Sequence, residues 1–91
     1  MINVGFVWDP GKNEINKRKH GVDFEEAQSA FYDDCAKIIY DPDHSAKEDR
    51  FVLLGLSERL RCLVVCHSYR EDESIIRIIS ATILWLRTAC W

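Results

Sequence analysis

His67, Arg70 and Arg77 are the residues whose types and spacing best fit chemistry at a phosphate group. His67 and Arg70 close one apolar stretch and Arg77 lies within the next, so a turn at residues 71–74 would make them neighbours on a hairpin. An imidazole exchanges protons with hydroxyl groups, and guanidinium groups bind phosphate oxygens in a bidentate manner. The set therefore predicts metal-independent cleavage of RNA. His67 would be the general acid or base, and Arg70 and Arg77 would hold the phosphate.

The same residues have a plainer structural interpretation. Arg77 would then pair with a carboxylate, and His67 would be a strand histidine with satisfied hydrogen bonds. Structural ion pairs are more common than catalytic clusters, so spacing alone favours this interpretation. Both hypotheses stay open at the level of sequence.

Lys19, His20 and Tyr69 are further candidates for binding RNA. Lys19 and His20 precede Gly21 in the last turn of a predicted helix, where cations are favoured by roughly 0.3–1 kcal/mol. The negative end of the helix dipole argues against a primary phosphate site there. We expect these two residues to add positive potential only, and Tyr69 to lie beside His67.

The composition narrows the function classes. The net charge of −3 argues against strong non-specific binding to nucleic acid but leaves room for a local basic site. No leader sequence, no membrane-length apolar run and no CxxC pair is found, so we expect a cytoplasmic protein with reduced thiols and neither metal nor cofactor. A redox or metal protein is a minor alternative, which would use the four cysteines Cys35, Cys62, Cys66 and Cys90.

The pattern of elements predicts one α+β domain over residues 1–91. Strands are predicted at residues 2–8, 36–40, 50–57, 61–69 and 75–80, and helices at residues 10–20 and 23–31. The short connections after residue 40 favour an antiparallel meander, with the two N-terminal helices packed on one face of the sheet. Residues 81–91 are predicted to form a short C-terminal helix or tail.

Local signals define the two helices. Asp9 is a predicted N-cap before Pro10, and Gly21 fits the left-handed position that ends a helix. Asp23 and Glu26 have the spacing of a capping box at the second helix. The first helix has Ile15 as its one large apolar residue, which predicts a surface helix with a narrow buried stripe.

Four segments in the same order resemble a known family. They are "FVWDPGKNEINKRKHGVDFEEA", "IIYDPDHSAKEDRFVLLGLS", "CLVVCHSYREDE" and "IRIISA". Over residues 6–81 the chain resembles the BrnT toxins of bacterial type II toxin–antitoxin systems. Lys19 and His20 match the family's "KHG", His67 matches the histidine after its apolar strand, and Arg70 and Arg77 match basic positions around its last hairpin.

The resemblance implies a RelE-like fold and a ribonuclease that slows translation. It also implies a BrnA-like antitoxin with a ribbon-helix-helix part, through which alone the complex would bind operator DNA.

The sequence departs from the family after Ala81. The family continues with a basic helix, whereas this chain has an apolar end in which Arg87 is the one basic residue. Each lost phosphate contact lowers affinity for RNA. The alternative function is therefore a catalytically impaired binding module, which only binds its antitoxin or associates with itself.

Overall fold

The computed structural model describes residues 4–84, which form two helices and a five-stranded sheet. The helices are α1 (Pro10–His20) and α2 (Phe24–Ala30). The strands are β1 (Gly5–Val7), β2 (Lys37–Tyr40), β3 (Phe51–Leu56), β4 (Cys62–Arg70) and β5 (Ile75–Ile83). A single 3₁₀ turn at Pro42–His44 lies between β2 and β3. None of these helices is long and apolar enough to cross a membrane.

The sheet is mixed, so the prediction of a purely antiparallel sheet is wrong. Its strand order is β1-β5-β4-β3-β2. Strands β2 to β5 form the expected antiparallel meander. β1, however, runs parallel to β5, with Gly5 opposite Ile75 and Val7 opposite Arg77. Parallel neighbours need a long connection, and here the rest of the fold provides it.

β5 is longer than predicted. Residues 81–83, which were expected to begin a helix or tail, continue the strand because Ala81 pairs with Val65 and Ile83 pairs with Leu63. The next residue, Leu84, still donates a backbone hydrogen bond to Cys62. The remainder of the predicted tail lies outside the described residues.

The predicted ends of the helices are confirmed. Asp9 accepts from two first-turn amides of α1, and Gly21 ends that helix at φ 70°. Asp23 accepts from the Glu26 amide at 2.7 Å. The Glu26 side chain does not complete a capping box. It is buried and binds Arg61 and Ser57 instead.

Both helices lie on one face of the sheet, where the apolar core forms. Strand residues of this face alternate with residues of the opposite face, as the period of two requires. The buried apolar residues of the core are Val22, Phe24, Ala27, Ala30, Phe31, Leu53, Leu63, Val65, Ile76, Ile78 and Ala81. The opposite face carries no helix within residues 4–84.

α1 is attached to the sheet by a buried amide rather than by an apolar stripe. Ile15 is 53% exposed, whereas Asn16 is only 5% exposed. Asn16 donates to the carbonyls of Val22 and Ala81 at 2.9 and 2.8 Å and accepts from the Ala81 amide at 3.1 Å. Because β1 pairs with β5 only as far as Arg77, the Asn16 side chain takes the place of a neighbouring strand at Ala81.

Candidate functional site

The register of the last hairpin separates His67 from Arg77. Ser68 is the partner of Arg77, and His67 is the partner of Ile78, with a bulge between Cys66 and His67. Consecutive strand residues point to opposite faces. His67 therefore faces the helices, whereas Arg77 faces the opposite side. The structure does not bring the imidazole and this guanidinium group together on one surface.

His67 has no exposed surface and its ring nitrogens are both engaged. Nδ1 lies 3.2 Å from the Val65 carbonyl oxygen, and Nε2 lies 3.3 Å from the Tyr69 hydroxyl. A carbonyl only accepts, so Nδ1 carries the proton and the Tyr69 hydroxyl donates to Nε2. Any effect of His67 on a ligand would pass through the half-buried Tyr69.

Aromatic rings surround the His67 imidazole. The ring centroids of Phe31, Tyr69 and Phe51 lie 4.9, 5.2 and 6.1 Å from it. Burial lowers the pKa of His67, and the hydrogen bond to the Val65 carbonyl only partly opposes this effect. The imidazole is therefore neutral at pH 7. This geometry fits the structural interpretation of His67.

The remaining predicted residues are dispersed. Arg70 is exposed at the end of β4. Lys19 and His20 are exposed in the last turn of α1, where they line a groove of about 180 Å³ between α1 and β5. Neither His67 nor Arg77 lines that groove.

A second group of polar residues lies around Arg77 on the helix-free face. We refer to Glu48, Arg50, Ser68 and Arg77 as the arginine cluster. Arg77 forms an ion pair with Glu48. Arg50 directly precedes Phe51, the partner of His67, so the same register places Arg50 opposite Ser68. Arg50, Ser68 and Arg77 thus form a row across three adjacent strand positions.

Two donors of the arginine cluster are buried without a partner, namely Arg50 Nε and Arg77 Nε. Ser68 is only 2% exposed, and its hydroxyl lies close enough to Glu48 to hydrogen-bond to it. Buried donors are nearly always hydrogen-bonded, so the two neighbouring Nε groups indicate a place for a ligand rich in acceptor oxygens. A phosphate group has that chemistry.

Glu48 supplies the one carboxylate of the arginine cluster. Burial raises the pKa of Glu48, but the hydrogen bond and charge of Arg77 outweigh this and lower it, with smaller contributions from Ser68 and Arg50. The contribution of Ser68 is a hydrogen bond from its hydroxyl to the Glu48 carboxylate. Glu48 is ionised at pH 7 and its side chain is one-third exposed.

Comparison with known proteins identifies the family. Residues 8–83 match the family model of the "Ribonuclease toxin, BrnT, of type II toxin-antitoxin system". The chain belongs to the BrnT family. Its partner is therefore an antitoxin.

A solved structure supports the fold of this BrnT chain. This chain resembles the crystal structure of the Brucella abortus ribonuclease toxin BrnT with a TM-score of 0.69 and 22% sequence identity. The alignment covers 91% of this chain and 99% of the Brucella chain. A search of curated proteins gives no match.

Three members of the arginine cluster in this BrnT chain were not predicted from the sequence. Glu48 lies in a polar connection, Arg50 is the first residue of the predicted apolar strand 50–57, and Ser68 has a small side chain beside the more conspicuous His67. A signal was present in the alternation of β4, because Ser68 occupies the same face as Cys66 and Val64. A polar residue at that position faces away from the helices, so Ser68 could have been assigned to the helix-free face.

Within the described residues, neither the cysteines nor the connection between β2 and β3 forms a metal site. Cys35, Cys62 and Cys66 are free thiols. His44 Nδ1 lies 2.9 Å from an oxygen of Asp41 in an exposed pair. No group of three or more metal-ligating side chains occurs within residues 4–84.

Proposed function

We propose that the arginine cluster is the RNA-cleaving site of this BrnT toxin and that it acts without a metal ion. The observation that carries the proposal is the pair of buried, unpartnered Nε groups of Arg50 and Arg77 next to an ionised carboxylate. Guanidinium groups match phosphate oxygens in geometry and charge. A carboxylate beside them is suited to take a proton from a hydroxyl group.

The reaction starts when a phosphodiester displaces Glu48 from Arg77. Glu48 then accepts the proton of the ribose 2′-OH, whose oxygen bonds to phosphorus while the bond to the 5′-oxygen breaks. The leaving oxygen takes a proton from solvent, and the products are a 2′,3′-cyclic phosphate and a 5′-hydroxyl. Arg50, Ser68 and Arg77 stabilise the charge that develops on the phosphate oxygens.

The residues predicted from sequence keep supporting roles in this proposal. Arg70 lies at the exposed end of the same strand as Ser68 and binds a flanking phosphate. Tyr69 lies on the face opposite the arginine cluster and would contact only RNA that extends beyond the site, and His67 positions Tyr69 by accepting the hydrogen bond of its hydroxyl. Lys19 and His20 add positive potential at the end of α1.

Family membership supports the wider cellular role that we propose. The fold would be a variant of the RelE-like toxins, and cleavage of RNA would slow translation. A BrnA-like ribbon-helix-helix antitoxin would neutralise the toxin and make all contacts with operator DNA.

Cleavage of single-stranded RNA by the purified chain in the presence of EDTA tests the proposal. We expect Arg77→Lys and Glu48→Gln each to lower the cleavage rate by roughly 10²–10³-fold, because each removes a group that acts in the transition state. Arg59→Lys and Glu58→Gln are matched controls, since both residues are exposed in the turn between β3 and β4. The controls should cleave like the wild type.

The role of His67 gives a second readout. His67→Phe keeps an aromatic ring among Phe31, Phe51 and Tyr69. We expect the RNA-cleavage rate of this variant to stay within about tenfold of the wild type, with an unchanged pH profile. If His67 were the general acid or base, its replacement would lower the cleavage rate by roughly 10²–10⁴-fold and remove one limb of the pH–rate profile. Arg77→Lys at the wild-type rate would refute the proposed site. A folded wild type that binds antitoxin but cleaves no RNA would favour the binding-module alternative.

A further inference from the structure

β2 presents an unusual combination of an open edge and apolar side chains. It is the last strand in the order β1-β5-β4-β3-β2, and no strand within residues 4–84 pairs with its outer side. Ile38, Ile39 and Tyr40 are 51, 54 and 48% exposed. Proteins usually protect such edges with charged residues or proline inside the strand. The only charged residue of β2 is Lys37 at its start, and Asp41 directly follows its last residue.

The pairing with β3 shows which backbone groups of β2 are free. The Asp41 amide donates to the Arg50 carbonyl at 2.9 Å, so residue 41 belongs to a hydrogen-bonded pair of the ladder. In an antiparallel ladder such pairs alternate with non-hydrogen-bonded pairs. Residues 37, 39 and 41 therefore direct their amide and carbonyl groups towards β3. Ile38 and Tyr40 direct theirs to the open side.

The free groups fit a second copy of the same strand in one register. If β2 meets β2 of another chain in the antiparallel sense, Ile38 can exchange both hydrogen bonds with Tyr40 of the second copy. By two-fold symmetry Tyr40 does the same with Ile38, and Ile39 lies opposite Ile39. All three exposed apolar side chains then gain a cross-strand neighbour.

The same register also matches the charges. Lys37 lies opposite Asp41 of the second copy in a non-hydrogen-bonded pair, where side chains are closest. Asp41 uses one carboxylate oxygen for His44, and its side chain is 19% exposed, so the ion pair would form through the other oxygen. Symmetry repeats the ion pair, so each dimer has two. A shift by two residues towards the C-terminus would place Pro42, which lacks an amide, at a hydrogen-bonding position.

We propose that this BrnT chain forms a two-fold symmetric dimer through β2, with one continuous sheet across both copies. The occupant is a second copy rather than RNA, because the centre of the edge is apolar. It is a second copy rather than the antitoxin because the charge pattern of β2 complements itself. A four-residue strand buries less than the roughly 1,200 Å² of a standard interface, so the dimer is weak and depends on concentration. The proposal is independent of the catalytic role of the arginine cluster.

Charge exchange between Lys37 and Asp41 tests both the dimer and its register. We expect the wild type, without antitoxin, to show a monomer–dimer equilibrium in analytical ultracentrifugation. Lys37→Asp alone and Asp41→Lys alone should each raise the dimer Kd by roughly tenfold or more, because two attractive pairs become repulsive. An equimolar mixture of the two variants should restore dimerisation. In the mixed dimer each of the two pairs between positions 37 and 41 joins one aspartate and one lysine, so both pairs are again attractive.

Ile39→Lys provides a separate test of the edge. It places two ammonium groups opposite each other across the symmetry axis, so the dimer should be lost. Leu60→Lys is the matched control, because Leu60 is 79% exposed in the turn between β3 and β4. Circular dichroism and thermal melting of every variant separate dimer loss from unfolding.

Three results would overturn the proposal. One is a wild type that stays monomeric up to concentrations on the order of 1 mM. Another is a mixture of the two charge variants that dimerises no better than either alone. The third is a dimer that survives Ile39→Lys. If the wild type is monomeric and Ile39→Lys weakens antitoxin binding, the edge belongs to the antitoxin instead.

Discussion

Replacing Asn16 by aspartate tests how strongly the structure depends on one amide group. The Asn16 Nδ2 group donates to two carbonyl oxygens, those of Val22 and Ala81, in a site that is almost fully buried. The introduced carboxylate would keep the acceptor for the Ala81 amide but would turn an oxygen towards both carbonyls. Two hydrogen bonds are lost, two buried acceptors lose their donor, and a charge is placed beside them.

The expected destabilisation is large for a chain of this size. Losing two buried hydrogen bonds and leaving their acceptors unpaired lowers the free energy of unfolding by about 3–5 kcal/mol. A domain of about 90 residues has only roughly 5–14 kcal/mol of stability in total. With an m-value of about 1 kcal/mol per M, the midpoint of urea denaturation should fall by about 3–5 M. The assay is urea denaturation followed by tryptophan fluorescence and circular dichroism.

Asn13→Asp is the matched control in the same helix. Asn13 Oδ1 only accepts, from the Phe24 amide at 2.9 Å, and a carboxylate oxygen accepts equally well. The free energy of unfolding of Asn13→Asp should therefore stay within about 0.5 kcal/mol of the wild type. Burial beside two carbonyls favours the protonated form of the carboxyl group introduced at position 16, so Asn16→Asp should lose less stability at pH 4 than at pH 7. Equal losses for the two variants at pH 7 would refute the role assigned to Asn16.

Two further substitutions probe the contacts of α2. The hydrogen bond from Arg61 lowers the pKa of Glu26 below its ordinary value of 4.5 despite the opposing effect of burial. This stabilisation is present above pH 4.5 and is lost as the pH falls through the lowered pKa. Glu26→Gln should therefore be about 1–3 kcal/mol less stable than the wild type at pH 7, with a smaller difference below pH 4 in denaturant titrations; an equal difference at both pH values would contradict this. Gly55→Ala should lower the melting temperature and the free energy of unfolding, the latter by about 1–3 kcal/mol, because the added Cβ would lie 2.8 Å from the Ala30 carbonyl oxygen. Gly5→Ala is the control, since its Cβ would meet nothing closer than 3.9 Å. Its free energy of unfolding should stay within about 0.5 kcal/mol of the wild type.

The parts of the fold that depend on neighbouring residues could be predicted from the sequence. Asp9, Gly21 and Asp23 define the helix ends through contacts within a few residues, and all three act as expected. The antiparallel order of β2 to β5 follows from short connections. The parallel pairing of β1 with β5 could not be predicted, because its partners are about 70 residues apart and no local pattern encodes them.

Two errors in the candidate site have specific physical causes. A one-residue difference in register decides which face a strand residue occupies. The turn at residues 71–74, which places Arg70 opposite Ile75, sets the register of His67 and Arg77, and periodicity does not reveal it. At α1, the sequence predicted a narrow buried stripe with Ile15 as its one large apolar residue, whereas Ile15 is exposed and Asn16 is buried. The backbone of Ala81 explains the difference, because β1 does not reach it and its amide and carbonyl need the hydrogen bonds that Asn16 provides.

The pairing of β1 with β5 has a consequence for the synthesis of the toxin. Arg77 enters the sheet between Val7, from the start of the chain, and Ser68, so it takes its place only after β5 has left the ribosome. Until then the nascent chain holds Glu48, Arg50 and Ser68 without the guanidinium group that completes the cluster. Folding of the N-terminal segments during translation therefore cannot complete the proposed site. The proposed site therefore forms only after β5 has emerged and paired with both β1 and β4.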